Sequence, residues 1–405
     1  MFLKAVLLVM PKMPVKDYIN YLVSLPFKGS PLHLIKESSK DLIGIKSPVR
    51  DNTAHIKAAV EWLLEAQKAN NDGGVAALYS LLEGWHSSYS ETTGYTIPTM
   101  LNYYEKTKNR VIMESAVKMA DWELSKQMPS GAFPGGAVGN NEYPIVFNTG
   151  QVIFGMVGIF QKTNQLKYKN AAVKAADWLV SVQNKNGCWD RFDYLNKIHV
   201  YNTRTAWSLL RTYEMTGKEA YRKSAVKNIE WAVSQQLDDG WFMSSAFYES
   251  QEPLLHTIAY TIQGILEAGV FLKNQKYISS AKKAADALLN LQRKDGSLAG
   301  SFGKSWKSGV SWSCLTGDSQ MAIVWLRLHQ LAGDKNYLNA AKRINNYVKS
   351  VQNLNSKNPG VRGGIKGAHP IYGWYAPFCY INWAAKFFID ALMLEDDSTL
   401  AGKMS

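Results

Sequence analysis

A group of polar residues stands directly before a segment that must be buried. Glu142, Tyr143, Asn148 and Thr149 lead into the run GQVIFGMVGIF, which is apolar on nearly every helical face and is therefore typical of a helix buried on all sides. Side chains of these types either cap the start of such a helix or reach a ligand there. Both roles place them where the buried helix begins.

Five other apolar segments begin with a similar polar group. The six starts are Thr92-Thr93-Gly94, Asn148-Thr149-Gly150, Asn202-Thr203-Arg204, His256-Thr257, Thr316-Gly317-Asp318 and Asn382-Trp383. Capping accounts for most of the threonines and asparagines, because their oxygens accept otherwise unpaired backbone N–H groups. Six helix N-termini at one mouth also form a ring of positive dipole ends suited to a carboxylate or sulfate. Arg204 and His256 are poor caps, so we expect these two to contact a ligand.

A six-fold repeat predicts the helices that position these groups. One ten-residue pattern recurs at spacings of 53 to 60 residues, with Trp62, Trp122, Trp178 and Trp231 at one position of the first four copies. Each copy has Ala, Val and Leu on one face and Lys, Asp and Glu on the other, which predicts an amphipathic helix. A glutamine ends every copy: Gln67, Gln127, Gln183, Gln236, Gln292 and Gln352.

The order of the two kinds of helix predicts the fold. Six amphipathic helices alternate with six buried ones, which is typical of an all-α (α/α)6 toroid with six inner and six outer helices. We assign residues 51–405 to this single catalytic domain. Residues 1–50 are expected to form an N-terminal arm, with a short helix in VKDYINYLVSLP and an extended segment in FKGSPLHLIKESSKDLIGIKSP.

Connection lengths place function on one rim of the toroid. Turns from a buried helix to the next amphipathic helix are short and polar, whereas the return links run to about twenty residues or more, well beyond the usual loop length. These long links carry most of the glycine, aromatic and polar residues. Because long loops on a rigid scaffold concentrate binding and catalysis, we expect the site among them.

Composition narrows the class of partner. The 405-residue chain has a formal net charge of +13, which favours an anionic partner. Nucleic acid is disfavoured because the Lys and Arg residues are scattered and no nucleic-acid motif is present. No segment reaches membrane-spanning length. Cys188, Cys314 and Cys379 lie far apart, so the sequence predicts a cytoplasmic protein without a disulfide framework.

The glutamine repeat resembles a known structural motif. Four copies continue as Q-x-x-x-G-x-hydrophobic, in QMPSGAF, QNKNGCW, QLDDGWF and QRKDGSL. This looks like the QW motif of the terpene cyclase and prenyltransferase toroids, where such repeats tie helix ends together. The resemblance implies architecture only, because the aspartate-rich catalytic motif of the triterpene cyclases is absent.

A second resemblance concerns the segment that precedes the buried helix. EYP, followed by an Asn-x-Gly and GMVGIF, is similar to the Glu-Tyr-Pro, Leu-Asn-Gly and Gly-Leu-Tyr run of D-glucuronyl C5-epimerases. It implies that Tyr143 is a catalytic tyrosine, with Glu142 beside it and Asn148 at the cavity wall. It also implies a role for Tyr372 and Tyr375 in the last link. The match covers some twenty residues, and the β-rich N-terminal part of the animal enzymes has no counterpart in this chain.

Epimerisation of glucuronate at C5 requires removal of a proton next to a carboxylate. The enolate-like intermediate must be stabilised where its charge develops, and Arg204, Arg362 and Lys366 could supply the cations. A tyrosine of lowered pKa, or His256, could act as the base. Return of the proton from the opposite face gives the epimer, whereas loss of the 4-linked sugar makes the same apparatus a lyase. Neither outcome needs a cofactor.

Other residues are expected to contact the substrate. Trp189 and Trp241 suit stacking on a sugar, although packing within the links explains them equally well. Polar groups expected to bind substrate are Glu91, Asn202 and Asp318. The most favoured function is therefore C5 epimerisation within an acidic, uronate-containing glycan, in polysaccharide biosynthesis.

Three other hypotheses stay open. A hydrolase resembling the unsaturated glycuronidases would use two carboxylates, drawn from Glu91, Asp190, Asp193, Glu249 and Asp318. A zinc site built from the three cysteines with His199, His256 and His369 is disfavoured because no two of these ligands are close in sequence. A non-catalytic toroid that binds an acidic glycan would show salt-sensitive binding without turnover.

Overall fold

Two concentric rings of helices make up most of the chain. The computed structural model describes residues 31–139, 143–248 and 250–404, so Glu142, Glu249 and the helix expected in VKDYINYLVSLP lie outside the described residues. The outer ring contains α2 (Asn52–Lys68), α4 (Arg110–Lys126), α6 (Leu166–Ser181), α8 (Glu219–Ser234), α10 (Gln275–Asn290) and α12 (Lys335–Val351). The inner ring contains α3 (Ser90–Thr107), α5 (Val146–Thr163), α7 (Thr203–Thr216), α9 (Leu255–Phe271), α11 (Leu315–Ala332) and α13 (Asn382–Met404).

The inner ring is closed. Each inner helix packs against the next, and α13 packs against both α3 and α2. The Thr99 hydroxyl donates to Asp390 at 2.8 Å across the α3–α13 contact, and the Asn52 amide donates to Asp396 at 2.7 Å. The prediction of an all-α (α/α)6 toroid is therefore confirmed. None of the described helices combines the length and apolarity that spanning a membrane requires.

The repeated glutamine ties each outer helix to the following one. In every copy its side-chain amide donates both to the carbonyl of a link glycine and to a carbonyl of the next outer helix. We call this arrangement the glutamine clamp. The resemblance to QW motifs implied that the repeats tie helix ends together, and the structure confirms it. The clamped pairs are Gln67–Gly73, Gln127–Gly131, Gln183–Gly187, Gln236–Gly240, Gln292–Gly296 and Gln352–Gly363.

The clamped glycines cannot carry a side chain. At Gly187 and Gly363 the backbone φ is positive, at 97° and 82°, in the region that favours glycine. A Cβ atom at Gly187 would lie 2.3 Å from the Lys227 carbonyl oxygen, and one at Gly363 would lie 2.1 Å from that of Ala58. Both carbonyls belong to outer helices, so the link backbone packs directly on the ring.

Polar residues at the inner-helix starts anchor the links rather than cap the helices. The inner N-caps that the structure resolves, such as Tyr89, Ile145 and Leu254, make no side-chain cap hydrogen bond. Instead, Thr93 accepts from the Val75 N–H and Thr149 from the Phe133 N–H, at 3.0 and 2.9 Å. The expectation of capping is therefore wrong for these threonines, because the clamped link presents its own unpaired N–H groups to them.

Short strands join the long links to one another. β1 (Leu78–Ser80) pairs antiparallel with β2 (Gly84–Trp85) and with β5 (Cys379–Ile381), so the first link is joined to the last. β3 (Ser313–Cys314) pairs with β4 (Ala368–His369) between the last two links. The opposite rim has turns of two or three residues, several with a left-handed residue such as Lys108 or Gly217. The long links thus share one rim, as predicted.

The arm differs from the extended segment that the sequence suggested. Residues Pro31–Leu42 form helix α1, whose side chains pair with buried groups of the last link. Asp41 accepts two hydrogen bonds from Lys366, at 2.6 and 2.9 Å, and one from the Ile371 N–H at 2.7 Å. Burial opposes ionisation of Asp41, but the Lys366 and His369 side chains outweigh it and hold the pKa at about 2. These pairings are long-range and do not show in local sequence.

Replacing Gln352 by methionine should lower the free energy of unfolding by about 3 kcal/mol. Gln352 hydrogen-bonds to the His55 Nδ1, which lies 2.5 Å from the Gln352 Oε1, and to the Gly363 carbonyl. The change leaves both of these groups without a partner, and each buried unpaired group costs about 1–3 kcal/mol. Thermal and denaturant unfolding followed by circular dichroism would measure it. Gln235→Met is the control, since that side chain bonds only Ser234 at the surface. Equal losses in the two variants would contradict the clamp's importance.

Replacing Asp41 by asparagine should release helix α1 from the toroid. Lys366, buried in the protein, would lose its counter-ion, and breaking a buried ion pair costs about 3 kcal/mol or more. Limited proteolysis should then cleave between residues 43 and 50. In the unmodified protein the pKa of Asp41 is depressed by folding, so ionised Asp41 contributes its full stabilisation of the folded state above pH 3.8. This stabilisation is lost as the pH falls through about 2. Lys36→Gln, on the exposed face of α1, should leave cleavage unchanged.

Candidate active site

A narrow cleft opens at the rim that carries the long links. Its volume is about 270 Å³, and seven of its 17 described lining residues are tyrosines. Residues from the starts of four inner helices reach it: Glu91 and Thr92 from α3, Phe147 and Asn148 from α5, His256 from α9 and Trp383 from α13. The remaining lining residues are Tyr89, Tyr95, Gly135, Gly136, Tyr143, Ile145, Tyr194, Tyr201, Phe247, Tyr260 and Tyr375.

Glu91 is the carboxyl group that the described residues present to this cleft. Burial raises its pKa to about 7, although a hydrogen bond from Tyr89 and the charge of Arg204 oppose the rise. The Tyr89 hydroxyl donates to Glu91 at 2.9 Å, and the Asn148 amide lies 3.4 Å from the same hydroxyl. Near neutral pH this carboxyl is therefore close to half protonated and can either give or take a proton.

His256 provides a neutral imidazole at the same cleft. Burial lowers its pKa to about 3, so the ring carries no charge at neutral pH. Its Nδ1 lies 2.8 Å from the Gln320 side-chain oxygen, which can only accept, so Nδ1 carries the proton and Nε2 is free to accept one. The ring packs against Tyr260 and Tyr375, with centroids 4.3 and 5.8 Å away.

The cleft tyrosines are held in their protonated form. Burial raises the pKa of Tyr89, Tyr201, Tyr260 and Tyr375 above the ordinary value. No lysine or arginine is among the residues that line the described part of the cleft, and burial outweighs the charge of Arg204, which acts in the opposite direction on the pKa of Tyr260. These hydroxyls can donate hydrogen bonds to a sugar, but they are poor bases.

Five of the residues proposed from sequence meet in this cleft. Glu91, Tyr143, Asn148, His256 and Tyr375 all line it. Tyr143 lies at the mouth with half of its surface exposed. The Tyr375 hydroxyl accepts from the Trp383 indole at 2.8 Å, and the Asn148 amide donates to the Pro134 carbonyl at 3.1 Å. Their roles in catalysis or binding stay predictions.

The cations proposed for uronate binding lie elsewhere. Arg204 is buried in the barrel interior, bonded to Gln151 and Gln263. Lys366 is paired with Asp41 under helix α1. Arg362 is exposed on the last link and is not part of the cleft lining. The expectation that these three gather around one substrate carboxylate is not supported, because Arg204 is held by glutamines inside the barrel, Lys366 is paired with Asp41, and Arg362 is exposed.

Four further candidates have structural partners instead. The indole of Trp189 donates to the Leu179 carbonyl at 3.0 Å, and that of Trp241 to the Phe302 carbonyl at 3.4 Å. Asn202 donates to Asp193, which also accepts from His199. Asp318 accepts from the Leu298 N–H at 3.1 Å and from the Ser313 hydroxyl, the position that Thr93 and Thr149 occupy in other links. These contacts favour packing over substrate binding for all four.

Tyr372 and the cysteines also lie away from the cleft lining. Burial and the nearby Asp41 charge raise the pKa of Tyr372, which places that residue beside helix α1. Burial raises the pKa of Cys314 and Cys379 to about 12, so both thiols are protonated. Within the described residues no group of three or more His, Cys, Asp or Glu side chains is arranged to hold a metal ion.

Sequence reasoning missed most of the aromatic lining. Tyr89 precedes Glu91 by two residues and was not considered, although an aromatic hydroxyl so close to a candidate carboxyl is a usable signal. Tyr95 and Tyr260 lie within inner helices, where apolar periodicity assigns them to the core. Tyr201 stands just before α7 and packs against Phe147, with ring centroids 5.1 Å apart.

Comparison with known proteins supports the architecture. Residues 94–205 match a family model described as the squalene-hopene cyclase C-terminal domain. An unsaturated glucuronyl hydrolase from a Bacillus species aligns with 84% of this chain and 96% of its own, at 16% identity and a TM-score of 0.69. No curated protein matches the chain in sequence.

Two other solved structures give the same result. An unsaturated glucuronyl hydrolase specific for heparin aligns with 85% of this chain and 97% of its own, at 14% identity and a TM-score of 0.70. A glycosyl hydrolase family 88 protein from Bacteroides vulgatus aligns with 86% and 99%, at 10% identity and a TM-score of 0.63. At these identities the similarity shows the (α/α) toroid fold.

The Glu91 titration should be visible in protein stability. Because its pKa is about 7 when folded and 4.5 ordinarily, the folded state binds the proton more tightly, and stability falls as the pH rises from 4.5 through 7. Glu91→Gln should therefore match the unmodified protein at pH 4.5 and exceed it at pH 8 by up to about 3 kcal/mol. Denaturant unfolding at several pH values would measure the difference.

A companion variant tests the cause of this shift. Tyr89→Phe removes a hydrogen bond that favours the carboxylate, so the pKa of Glu91 should rise further and the loss of stability should extend to higher pH. Glu65→Gln, a solvent-facing carboxyl on α2 paired with Lys68, is the control and should show no such pH dependence. A flat difference between Glu91→Gln and the unmodified protein would contradict the raised pKa.

Proposed function

We propose that this protein is a carbohydrate-active enzyme that removes a terminal unsaturated uronate from a glycan by acid-catalysed hydration. The observation that carries the proposal is Glu91, a carboxyl with a pKa of about 7 in a cleft lined by tyrosines. The similarity in fold to unsaturated glucuronyl hydrolases supports the same class of substrate. This corresponds to the hydrolase alternative of the sequence analysis rather than to the epimerase that it favoured.

The number of carboxyl groups favours this chemistry. An ordinary glycosidase places two carboxyl groups across the scissile bond, and among the described residues the cleft offers Glu91. Asp193, whose charge acts on Glu91, is buried and bonded to His199 and Asn202. An unsaturated uronate carries a C4–C5 double bond conjugated with its ring oxygen, which makes it an enol ether. One proton donor and one water are sufficient to hydrate that bond.

The steps can be assigned to the groups present. Protonated Glu91 gives its proton to C4, and the resulting positive charge is shared between C5 and the ring oxygen. Water then attacks C5, and its proton returns to the Glu91 carboxylate, directly or through Nε2 of His256. The product is a hemiketal, which opens and releases the rest of the glycan. Each turnover consumes one water and leaves Glu91 protonated, so no cofactor is required.

The size and polarity of the cleft suit one terminal sugar. Its volume of about 270 Å³ lies near the lower end of the roughly 300–1,000 Å³ found for ligand pockets. Tyrosine hydroxyls and the N-terminal ends of α3, α5 and α9 supply donors for a sugar carboxylate. Tyr194 of the cleft lining and Tyr248, which is not part of that lining, are partly exposed, and their hydroxyls lie 3.2 Å apart. They are available to a second sugar.

C5 epimerisation within a polymer is the weaker proposal. It requires a base of lowered pKa and a cation for the enolate-like intermediate. Every cleft tyrosine with a shifted pKa has a raised pKa instead. The described part of the cleft lining contains neither Lys nor Arg. Tyr143 at the mouth remains its candidate base, with Glu142 outside the described residues. A cleft sized for one sugar is also poorly suited to the interior of a chain.

The test uses unsaturated glucuronyl disaccharides, whose conjugated double bond absorbs in the ultraviolet. The unmodified protein should abolish this absorbance with release of the second sugar, and Glu91→Gln should lower kcat by at least about 100-fold. Asp318→Asn is the matched control, because burial raises the pKa of Asp318 to about 7 as well but its carboxyl lies outside the cleft. The rate should fall as the pH rises through about 7, where Glu91 loses its proton.

Other outcomes would separate the alternatives. Deuterium appearing at C5 of saturated glucuronate glycans in heavy water, with loss of that exchange in Tyr143→Phe, would establish the epimerase instead. A gain of absorbance would indicate a lyase. Saturable, salt-sensitive binding without any of these signals would leave a non-catalytic glycan-binding toroid.

A further inference from the structure

A second and larger cavity opens at the opposite end of the barrel. Its volume is about 880 Å³, and residues from the later turns of inner helices line it, including Asn102 of α3 and Gln161 of α5. Tyr95 lines both this cavity and the candidate active site, so side chains at the middle of the barrel separate the two. Nothing in the proposed hydrolysis uses this second cavity.

Arg204 stands at its inner end as a buried cation. The residue is 3% exposed and lines the cavity. Its Nε donates to the Gln151 side-chain oxygen at 2.9 Å and its Nη1 to that of Gln263 at 2.5 Å. The Nη2 group makes no hydrogen bond within the described part of the chain. The guanidinium is thus fixed by two neutral amides, with one edge of its donor fork unused.

Aromatic rings surround this guanidinium. Those of Phe154, Trp207, Tyr260 and Phe387 lie with centroids 4.9 to 5.4 Å from its central carbon. Cation–π attraction offsets part of the cost of burying the charge. Cation–π attraction acts on the faces of the guanidinium and does not use the N–H donors that lie in its plane. The unused N–H donors therefore still need a hydrogen-bond acceptor.

The other cations of this cavity already have acidic partners. Lys106 pairs with Asp397, Lys162 with Glu105, Lys386 with Asp390 and Arg211 with Glu214. Among the described residues, Arg204 has no carboxylate within 4.0 Å. The charges of Asp390 and Glu91 act on Arg204 from beyond that distance, and a buried charge without a directly paired counter-ion is costly. The arrangement therefore lacks one anion, at a place where a cavity gives access to it.

We propose that this cavity binds a small organic anion whose carboxylate or phosphate pairs with the free edge of Arg204. A planar anion accepts well from an arginine fork. The walls beside it are apolar, formed by Phe154, Trp207 and Ile323, so the rest of the ligand has an aromatic or aliphatic body. The site is separate from the cleft that contains Glu91 and does not depend on the function proposed for it.

Isothermal titration calorimetry with inorganic phosphate, benzoate and phenyl phosphate tests this site. At least one organic anion should bind saturably and more tightly than inorganic phosphate, because only the organic ligands also contact the apolar wall. Arg204→Gln should weaken that binding by about 10-fold or more, the value of a charge-assisted hydrogen bond. Tighter binding of phenyl phosphate than of benzoate would identify phosphate as the preferred group. Tighter binding of benzoate would identify a carboxylate.

Three variants separate the site from general effects. Gly158→Leu should also weaken binding, since Gly158 lines the cavity and a Cβ atom there meets Leu101 no closer than 3.5 Å. It serves as the deciding variant should Arg204→Gln not fold. Arg211→Gln, at the same cavity but paired with Glu214, should change the affinity by less than about two-fold. Glu91→Gln should not weaken binding, because removing the Glu91 charge, which acts on Arg204 from a distance, leaves the cation and the cavity wall in place.

Three results would overturn the proposal. The first is the absence of saturable binding of all three anions to the unmodified protein in the millimolar range. The second is binding that Arg204→Gln and Gly158→Leu leave intact while both variants remain folded by circular dichroism. A loss of binding in Glu91→Gln with Arg204→Gln unaffected would assign the anion to the candidate active site and contradict the second site as well.

Discussion

The amide of one repeated glutamine determines how this toroid is assembled. In each of six copies it donates to a link glycine and to the next outer helix, so it joins three pieces of chain at one point. In five of the copies the oxygen of the same side chain accepts in turn from a neighbouring residue, such as Ser224 for Gln183. A buried amide must satisfy its donors and acceptors. This side chain meets that demand in one geometry, which fixes the angle between successive outer helices.

The candidate active site follows from the same constraint. A clamped link leaves its outer helix at a defined point and returns at the start of an inner helix, where Thr93 or Thr149 holds it. Residues just before this anchor in the sequence, such as Glu91 and Asn148, are therefore placed at the mouth of the barrel. Inner helices bring aromatic side chains to the same place, and their bulk removes water from Glu91. The raised pKa of Glu91 is a consequence of packing rather than of a neighbouring acid.

The sequence was informative where the physics is local or periodic. Helical period and the spacing of Gln67, Gln127 and their equivalents predicted both rings, the closure and the rim of long links. Glu91, Tyr143, Asn148, His256 and Tyr375 line one cleft, and each stands at or near the end of a long link, while their roles stay predictions. Residue type and proximity to a helix start were the grounds for proposing them.

Prediction failed where a side chain's partner is distant in sequence. Lys366 was assigned to a ligand, but Asp41 lies 325 positions earlier, and nothing local to either residue reveals the pair. Arg204 was placed at the mouth because it is near a helix start. Its side chain instead lies in the barrel interior between Gln151 and Gln263, since an arginine is long enough to reach past the first turn. The segment that forms helix α1 was expected to be extended. Its helical structure is stabilised by contacts with the last link, which the local sequence does not reveal.

The unequal spacing within the clamps bears on how such a molecule can change. Four clamps enclose a turn in which the glycine follows the glutamine by four residues, yet Gly73 follows Gln67 by six and Gly363 follows Gln352 by eleven. All six make the same contacts, so residues can be inserted inside a turn without altering the ring. The links beyond the anchored glycine are joined to one another by short strands, so a change in one of them must keep those pairings. Insertions inside a clamped turn can therefore alter the rim of the toroid, while the helices that determine folding stay as they are.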